Sequence, residues 1–424
     1  GEKDLYNRND AYECNLIKMA DNRQFVQFST ASGLMPQEEM LELKRKSSQL
    51  IIGIPRELSA NENRIGLVPN AVKLLTDRGH HILVEEHAGE KARFTDQEYA
   101  DAGAEIVNSH AAVFNADIIL KIAPPIREEA ELIDKRKCLM SVLQLPTRSK
   151  EYFQLLMNRK INAIAFEHIQ DKTGALPLVR SMSEIIGNAS MLIAAEYLCH
   201  PQYGKGIMLG GFPGVPSTEV VIIGSGTVSE YASRAAIGLG ALVKVFDNSM
   251  YKLRSLQNNL GNRIYTSVFQ PDDIEKALST ADVVIAAKHA PESTTPCFVP
   301  ESMVKKMKPG SVIIDVSIDQ GGCFETSRPT NHQNPVYQVH GITHYCVPNI
   351  ASRVPRTAST SFSNFFSSLL LEIAENGGVD QTLKNNRAFS KGAYIFNGVL
   401  TNQQISRMYD IPFQHLDLLL AAFY

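Results

Sequence analysis

Four β-branched residues in a row, Val220-Val221-Ile222-Ile223, lead directly into Gly224-Ser225-Gly226-Thr227-Val228-Ser229. Such a run reads as a buried strand, the glycines permit a sharp turn, and Val228 to Leu239 has helical apolar spacing closed by glycine. A bare Gly-x-Gly is common by chance, so its flanks decide. The next apolar run, Leu242-Val243-Lys244-Val245-Phe246, ends in Asp247, about 20 residues past the glycines, where a Rossmann fold carries the carboxylate that accepts ribose hydroxyls. The glycines let backbone N–H groups approach a pyrophosphate, the helix N-terminus favours its charge, and the carboxylate favours a free 2′-hydroxyl over a 2′-phosphate. The expected cofactor is NAD rather than NADP, held at Gly224, Gly226, Thr227, Val228 and Asp247. Ser229 stands where the third glycine falls, a place that needs only a small residue. The competing interpretation is a tight strand–helix turn with no ligand.

The chain has 424 residues, too many for one ordinary core, and predicts two or three domains. With 44% hydrophobic and 21% charged residues it is of soluble globular type, and a net charge of −3 gives no electrostatic case for nucleic acid or an anionic membrane. Cys14, Cys138, Cys199, Cys297, Cys323 and Cys346 are scattered, without Cys-x-x-Cys pairs or metal-ligand spacing, so reduced buried thiols and no metal site are expected. No apolar run reaches the roughly 18 residues of a membrane span and no signal-peptide core is present, which predicts a cytoplasmic protein. Gly1 in place of a methionine reads as a processed start, so a short leader is expected to carry no biology.

Alternating strands and helices predict two Rossmann-like, doubly wound α/β domains with an N-terminal helical extension. The extension covers 1–48 and ends in a helix from Pro36 to Lys46 with acids early and bases late. The first domain covers 49–185. Its predicted strands are Ile51–Ile54, Ile82–Val84, Ile118–Ile122, Leu139–Leu143 and Ala163–Phe166, with a helix capped by Asn70 and stopped at Gly79. A connecting helix from Ser183 to Leu198 and a Gly- and Pro-rich loop at 204–216 precede the fingerprint, and the loop predicts close backbone packing or mobility near the cofactor. The second domain covers 186–348, with strands at Val283–Ala287 and Val312–Val316. Residues 349–424, with a helix at Ser361–Glu375 and a helical tail, are too few for a domain and are expected to complete the first.

Open α/β sheets bind ligands beyond the carboxyl ends of their strands. Asp319, in Ile318-Asp319-Gln320-Gly321-Gly322-Cys323-Phe324-Glu325, lies just past the last predicted strand, with two glycines to turn it toward the crevice; a turn aspartate without duties is the alternative. Lys121 sits among apolar neighbours, where a lysine either snorkels out or awaits an anion. Arg64, in Asn61-Glu62-Asn63-Arg64, has the chemistry to clamp a carboxylate with two parallel hydrogen bonds.

Together with Met182-Ser183-Glu184-Ile185-Ile186-Gly187, Gly210-Gly211-Phe212-Pro213-Gly214-Val215 and Tyr345-Cys346-Val347-Pro348-Asn349, these motifs resemble the alanine dehydrogenase and pyridine-nucleotide transhydrogenase family from about residue 50 to 380. The resemblance implies two Rossmann-like domains facing a cleft and NAD-dependent interconversion of L-alanine with pyruvate and ammonia. It further implies Arg64 and Lys121 on the substrate carboxylate and carbonyl oxygen, and Asp319 in proton transfer. Ser183, Asp247, Lys252 and Asn349 match its cofactor contacts, and the protein is implied to be a homo-oligomer, commonly a hexamer. One position departs. Where the family dehydrogenases carry a histidine in a Leu-His-Leu setting, this chain has Gln144, which donates a hydrogen bond to a carbonyl but transfers no proton near neutral pH. Either Asp319 with water does the proton work, or the substrate differs, or activity is lost; His289 is a substitute to weigh, and His344 reads as a packing residue. A transhydrogenase NAD-binding component, an opine-type dehydrogenase and a nucleotide-binding regulatory or scaffold protein remain as alternatives.

Overall fold

The computed structural model describes residues 48–288 and 299–423. The expected Pro36–Lys46 helix, His289, Cys14 and Cys297 lie outside them. Within them the strands are β1 (Ile51–Ile54), β2 (His81–Glu85), β3 (Glu105–Val107), β4 (Ile118–Leu120), β5 (Cys138–Ser141), β6 (Asn162–Ala165), β7 (Glu219–Ile223), β8 (Leu242–Phe246), β9 (Tyr265–Ser267), β10 (Val283–Ala286), β11 (Val312–Asp315), β12 (Val336–Val339), β13 (Ile342–Tyr345), β14 (Ala393–Phe396) and β15 (Val399–Leu400).

They form two sheets. The first runs β3-β2-β1-β4-β5-β6-β14-β15 and the second β9-β8-β7-β10-β11-β13-β12, so both are built on the doubly wound 3-2-1-4-5-6 order with its switch point at the first strand. Pairing is parallel through the first six strands of each, and β14, β15 and β12 add antiparallel edges. Alternate residues of each strand go to opposite cores. Ile118 and Leu120 join one cluster and Ile119 another, and Val220 and Ile222 divide likewise from Val221 and Ile223. Both faces being covered, the strands read as unbroken apolar runs.

Four helices matter for the site: α1 (Pro69–Asp77), α2 (Pro177–Leu198), α3 (Thr227–Gly238) and α4 (Pro355–Glu375). Helix α2 begins in one core with Leu178 and Met182 and ends in another with Ile193 and Leu198. Gly187 lets it lie on α3, because a Cβ there would fall 2.5 Å from the Val228 carbonyl. Helix α4 returns Phe362, Phe366 and Leu370 to the first core.

Several local expectations change. Asn70 lies inside α1, because Pro69 takes N1 and makes Val68 the N-cap without a side-chain hydrogen bond. Helix α2 starts at Pro177 rather than Ser183, and α4 at Pro355 rather than Ser361, both with proline at the first turn. The tail is not all helical, since Tyr394 and Ile395 belong to the β14–β15 hairpin on the first sheet. In the Gly-rich loop, Gly210 (φ 128°) and Gly211 pack on the backbone of Leu239 and Gly240, past the C-terminal end of α3. That is close packing at the end of the helix away from the glycine turn.

Candidate active site

The strand–turn–helix of the second sheet is β7, Gly224-Ser225-Gly226 and α3. Gly224 has φ 104°, and its Cβ position lies 2.5 Å from the Ala287 carbonyl beyond β10, so backbone crowding and conformation both require glycine. Gly226 differs. Nothing lies within 4 Å of its Cβ position, so the fold leaves open space there. It N-caps α3 without any side-chain hydrogen bond, which leaves the first N–H groups, among them those of Thr227 and Val228, without the usual side-chain cap. Ser229 is fully buried with no hydrogen-bond partner for its hydroxyl, as expected of a small packing residue. Asp247, past β8, is buried and held by Ser225 Oγ, which donates to Oδ2 at 2.8 Å, and by the Ser249 N–H, which donates to Oδ1 at 2.9 Å. These features fit a nicotinamide dinucleotide: an open cradle, uncapped donors and a fixed acceptor. Ser183 is half-buried on α2, and Lys252 is exposed on the helix Met250–Leu260 with no side-chain bond among the described residues.

Beyond β11 the chain turns through Asp319, Gly321 (φ 100°) and Gly322 (φ 83°). Buried Asp315 organises this turn by accepting from the N–H of Ser317 at 3.1 Å, the N–H of Cys323 at 2.8 Å and Ser327 Oγ at 2.6 Å, and burial raises its pKa. Asp319 itself faces solvent and makes no hydrogen bond or ion pair among the described residues. The protein around it nevertheless raises its pKa by desolvation. A carboxylate so placed is free to take a proton.

On the first sheet, Lys121 follows β4 directly and is 2% exposed. The expectation that it snorkels out or awaits an anion is corrected: it already has anions. Lys121 Nζ donates to Glu57 Oε2 at 2.7 Å, the Ile122 N–H donates to Glu57 Oε1 at 2.5 Å, and Glu129 Oε1 is 3.2 Å from Nζ. Burial pushes Glu57 up to about 7 against the pull of Lys121, while the two glutamates hold Lys121 above its ordinary value in spite of burial. The lysine is therefore the member that keeps its proton. Arg64 is no solvated loop residue either. Its Nε and Nη2 each donate to Glu62 at 2.7 Å, and its guanidinium lies 4.9 Å over the Phe362 ring. Burial opposes ionisation of Glu62, but the Arg64 charge and hydrogen bonds outweigh it and lower its pKa. One edge of Arg64 is spent; among the described residues the edge with Nη1 hydrogen-bonds only Met182 Sδ, at 3.7 Å.

Asn349, in left-handed conformation after β13, joins the carboxyl ends of β13 and β1. Its amide donates to Glu62 Oε2 at 3.0 Å, to the Asn61 carbonyl at 3.2 Å and to Ser352 Oγ at 2.8 Å. Arg64 and Asn349 thus share Glu62, and Lys121 lies in the neighbouring glutamate pair. No hydrogen bond or ion pair among the described residues ties Asp319 or Asp247 to that group. Gln144 lies after β5 with φ 47°, exposed, its carbonyl accepting from the Thr147 N–H and hydroxyl, each at 3.0 Å. Beside it the Leu143 N–H donates to Glu167 Oε1 at 2.6 Å; Oε2 is buried without a partner, and burial raises the Glu167 pKa. His344 is buried between Thr326 Oγ1 and the Ile342 carbonyl, a packing residue. Sequence reasoning missed Glu57, Glu62, Glu129, Asp315 and Glu167. Glu57 and Glu167 each follow a strand closely, the position that singled out Asp319.

Profiles of the alanine dehydrogenase/PNT family match the chain in two parts, the N-terminal domain over residues 53–186 and the C-terminal domain over 190–403. Alanine dehydrogenase 2 of Staphylococcus aureus is 39% identical over 367 residues, 86% of this chain and 98% of that protein. The alanine dehydrogenase of Staphylococcus epidermidis is 38% identical over the same shares. Among solved structures, an L-alanine dehydrogenase superposes with a TM-score of 0.79 at 36% identity, over 84% of this chain and 98% of that one. A transhydrogenase from Sinorhizobium meliloti shares the fold, with a TM-score of 0.70 at 24% identity over 84% and 99%. With two glutamate-held cations on one sheet and a nucleotide-type turn on the other, the chain belongs to the alanine dehydrogenase/PNT family and is a pyridine-nucleotide enzyme.

Proposed function

We propose that this protein is an NAD-dependent alanine dehydrogenase that oxidatively deaminates L-alanine to pyruvate and ammonia and runs the reverse amination. The observation that carries the reading is the pair of cations at the carboxyl edge of the first sheet. Lys121 and Arg64 are each fixed by a buried glutamate, and the carboxylate of a small 2-oxo or 2-amino acid suits the guanidinium edge that Glu62 leaves open.

NAD, held by the residues named below, would supply the hydride acceptor for Cα of the amino acid. Arg64, with one edge held by Glu62, meets the substrate carboxylate with the other and fixes Cα. Lys121 hydrogen-bonds the oxygen at Cα and favours negative charge there. Asp319, open and raised in pKa, offsets the iminium charge and takes the amine proton. Asp247 accepts from the ribose hydroxyls and selects NAD, Gly226 admits the pyrophosphate, and Ser183, Lys252 and Asn349 flank the nucleotide. Gln144 donates a hydrogen bond to the substrate oxygen and moves no proton. The two domains are 49–185 with 349–424, and 186–348, behind an extension of 1–48. A cytoplasmic homo-oligomer, hexameric by family resemblance, is part of the same proposal, and light scattering measures its size; no described helix is long and apolar enough to cross a membrane.

The test is NADH formation with a panel of L-amino acids, and its consumption with 2-oxo acids and ammonium, for wild type, Asp319→Asn and Gln144→His. Turnover of alanine by wild type, abolished in Asp319→Asn, is the expected result. A wild type silent on the whole panel while Gln144→His is active overturns it.

A further inference from the structure

A chain of buried charges continues behind Lys121 toward the surface. Glu129 Oε1, 3.2 Å from Lys121 Nζ, lies 3.4 Å from Nε2 of His110. His110 Nδ1 lies 2.7 Å from Glu85 Oε2, which also accepts from the Arg56 N–H at 2.7 Å, and the Arg56 guanidinium is 3.7 Å from the other oxygen. The set is dry at one end and wet at the other: the side chains of Lys121 and Glu129 are 2% and 1% exposed, that of His110 29%.

The contact between His110 and Glu129 is incomplete in a specific way. The short bond to the Glu85 carboxylate places a hydrogen on Nδ1, so a neutral ring presents a lone pair at Nε2. That lone pair meets Glu129 Oε1, another acceptor, whose near donor is Lys121 Nζ at 3.2 Å, and Nε2 is buried without a hydrogen-bond partner. Two acceptors 3.4 Å apart leave a place for one proton. The charged groups that touch His110 among the described residues are Glu85, the last residue of β2, and Glu129, on the helix Arg127–Leu132; its ring also lies 5.2 Å from that of Phe114. Ion pairs that merely fasten short helices to a sheet need no such vacancy.

We propose that this place stores and conducts the proton that Lys121 exchanges with substrate, with His110 as the relay residue acting through Glu129. The inference rests on the dehydrogenase reading above. In the aminating direction the C–O bond of the carbinolamine breaks, and Lys121 gives an Nζ proton to the departing oxygen, which leaves as water. The neutral amine regains a proton from Glu129 Oε1, Glu129 regains one from His110 Nε2, and the part-exposed ring turns outward to take its next proton from solvent at Nε2. In deamination each transfer reverses: the water adding to the imine carbon loses a proton to Lys121, and His110 releases one outward. Only protons move in these steps, and no other reactant is required. Gln144 has no proton to lend, so the supply comes from behind the lysine.

The experiment compares wild type, His110→Ala and His110→Phe by steady-state kinetics with alanine and NAD, in H2O and D2O, with and without imidazole. In His110→Ala, kcat is expected to fall about tenfold while KM for alanine stays within about twofold, with a larger solvent isotope effect. Imidazole, entering the space left by the ring, restores the rate. His110→Phe fills that space and is slowed without rescue. An unchanged kcat and isotope effect in His110→Ala overturns the relay. So does a loss that imidazole leaves untouched and that follows a lower unfolding midpoint, which makes the charge chain purely structural. A wild type that turns over no amino acid overturns the dehydrogenase reading instead, and the relay with it.

Discussion

Asp247 shows how one residue is prepared before its partner arrives. Ser225 and the Ser249 N–H hold one oxygen each, so the carboxylate is oriented and its remaining lone pairs point away from them. Truncation in Asp247→Ala removes a charged acceptor, an interaction of roughly 1.5–3 kcal/mol. KM for NAD is expected to rise roughly tenfold to hundredfold with kcat little changed, and the preference over NADP to shrink, as read by steady-state kinetics with both nucleotides. Arg64 and Lys121 follow the same logic with opposite charge, since each is neutralised in advance by a glutamate. This is why neither matched the picture of an unpaired cation: the nearest anion was always a neighbour in the fold.

At the scale of elements, the two glycines of the β7–α3 turn separate fold from binding. Gly224→Ala places a methyl 2.5 Å from the Ala287 carbonyl at φ 104°, and calorimetry is expected to show a loss of about 2 kcal/mol or more. Gly226→Ala meets nothing within 4 Å. It is expected to leave the unfolding midpoint nearly unchanged while weakening NAD at least about tenfold in titration calorimetry, the methyl standing where backbone must approach pyrophosphate. The β14–β15 hairpin gives a different prediction. Ile395 is fully buried in the core on one face of the first sheet, so Ile395→Ala is expected to cost about 2–5 kcal/mol by urea denaturation. If residues 393–400 were a loose tail, the cost would be near zero.

For the whole molecule, buried titratable groups set the response to acid. His344 is fully buried with its pKa pushed down to about 4 from 6.5. The unfolded chain takes up this proton first, so as pH falls from 6.5 to 4 the folded state loses up to about 3 kcal/mol. Glu57 works the other way: raised to about 7 from 4.5, it binds a proton more readily when folded, which favours the fold as pH falls through that window. The two contribute to the wild-type profile with opposite sign. His344→Gln is therefore expected to gain stability relative to wild type between about pH 7 and pH 5, measured as the change in the gap between their unfolding midpoints. A gap that does not move with pH refutes the assignment. By itself the sequence determined the doubly wound α/β class and the glycine turn, and made Asp247, Asp319, Lys121 and Arg64 candidates, because strand periodicity, turn glycines and a terminal carboxylate are encoded within a few dozen residues. Tertiary structure decided who neutralises Lys121, whereas Glu62 stands two residues from Arg64. Glu57 and Lys121 lie 64 residues apart and Glu62 and Asn349 lie 287 apart; the first pair meets because strand order brings the ends of β1 and β4 side by side, the second because the chain after β13 reaches the loop after β1. A buried charge takes whichever partner topology delivers, and for partners so far apart no local pattern records that choice.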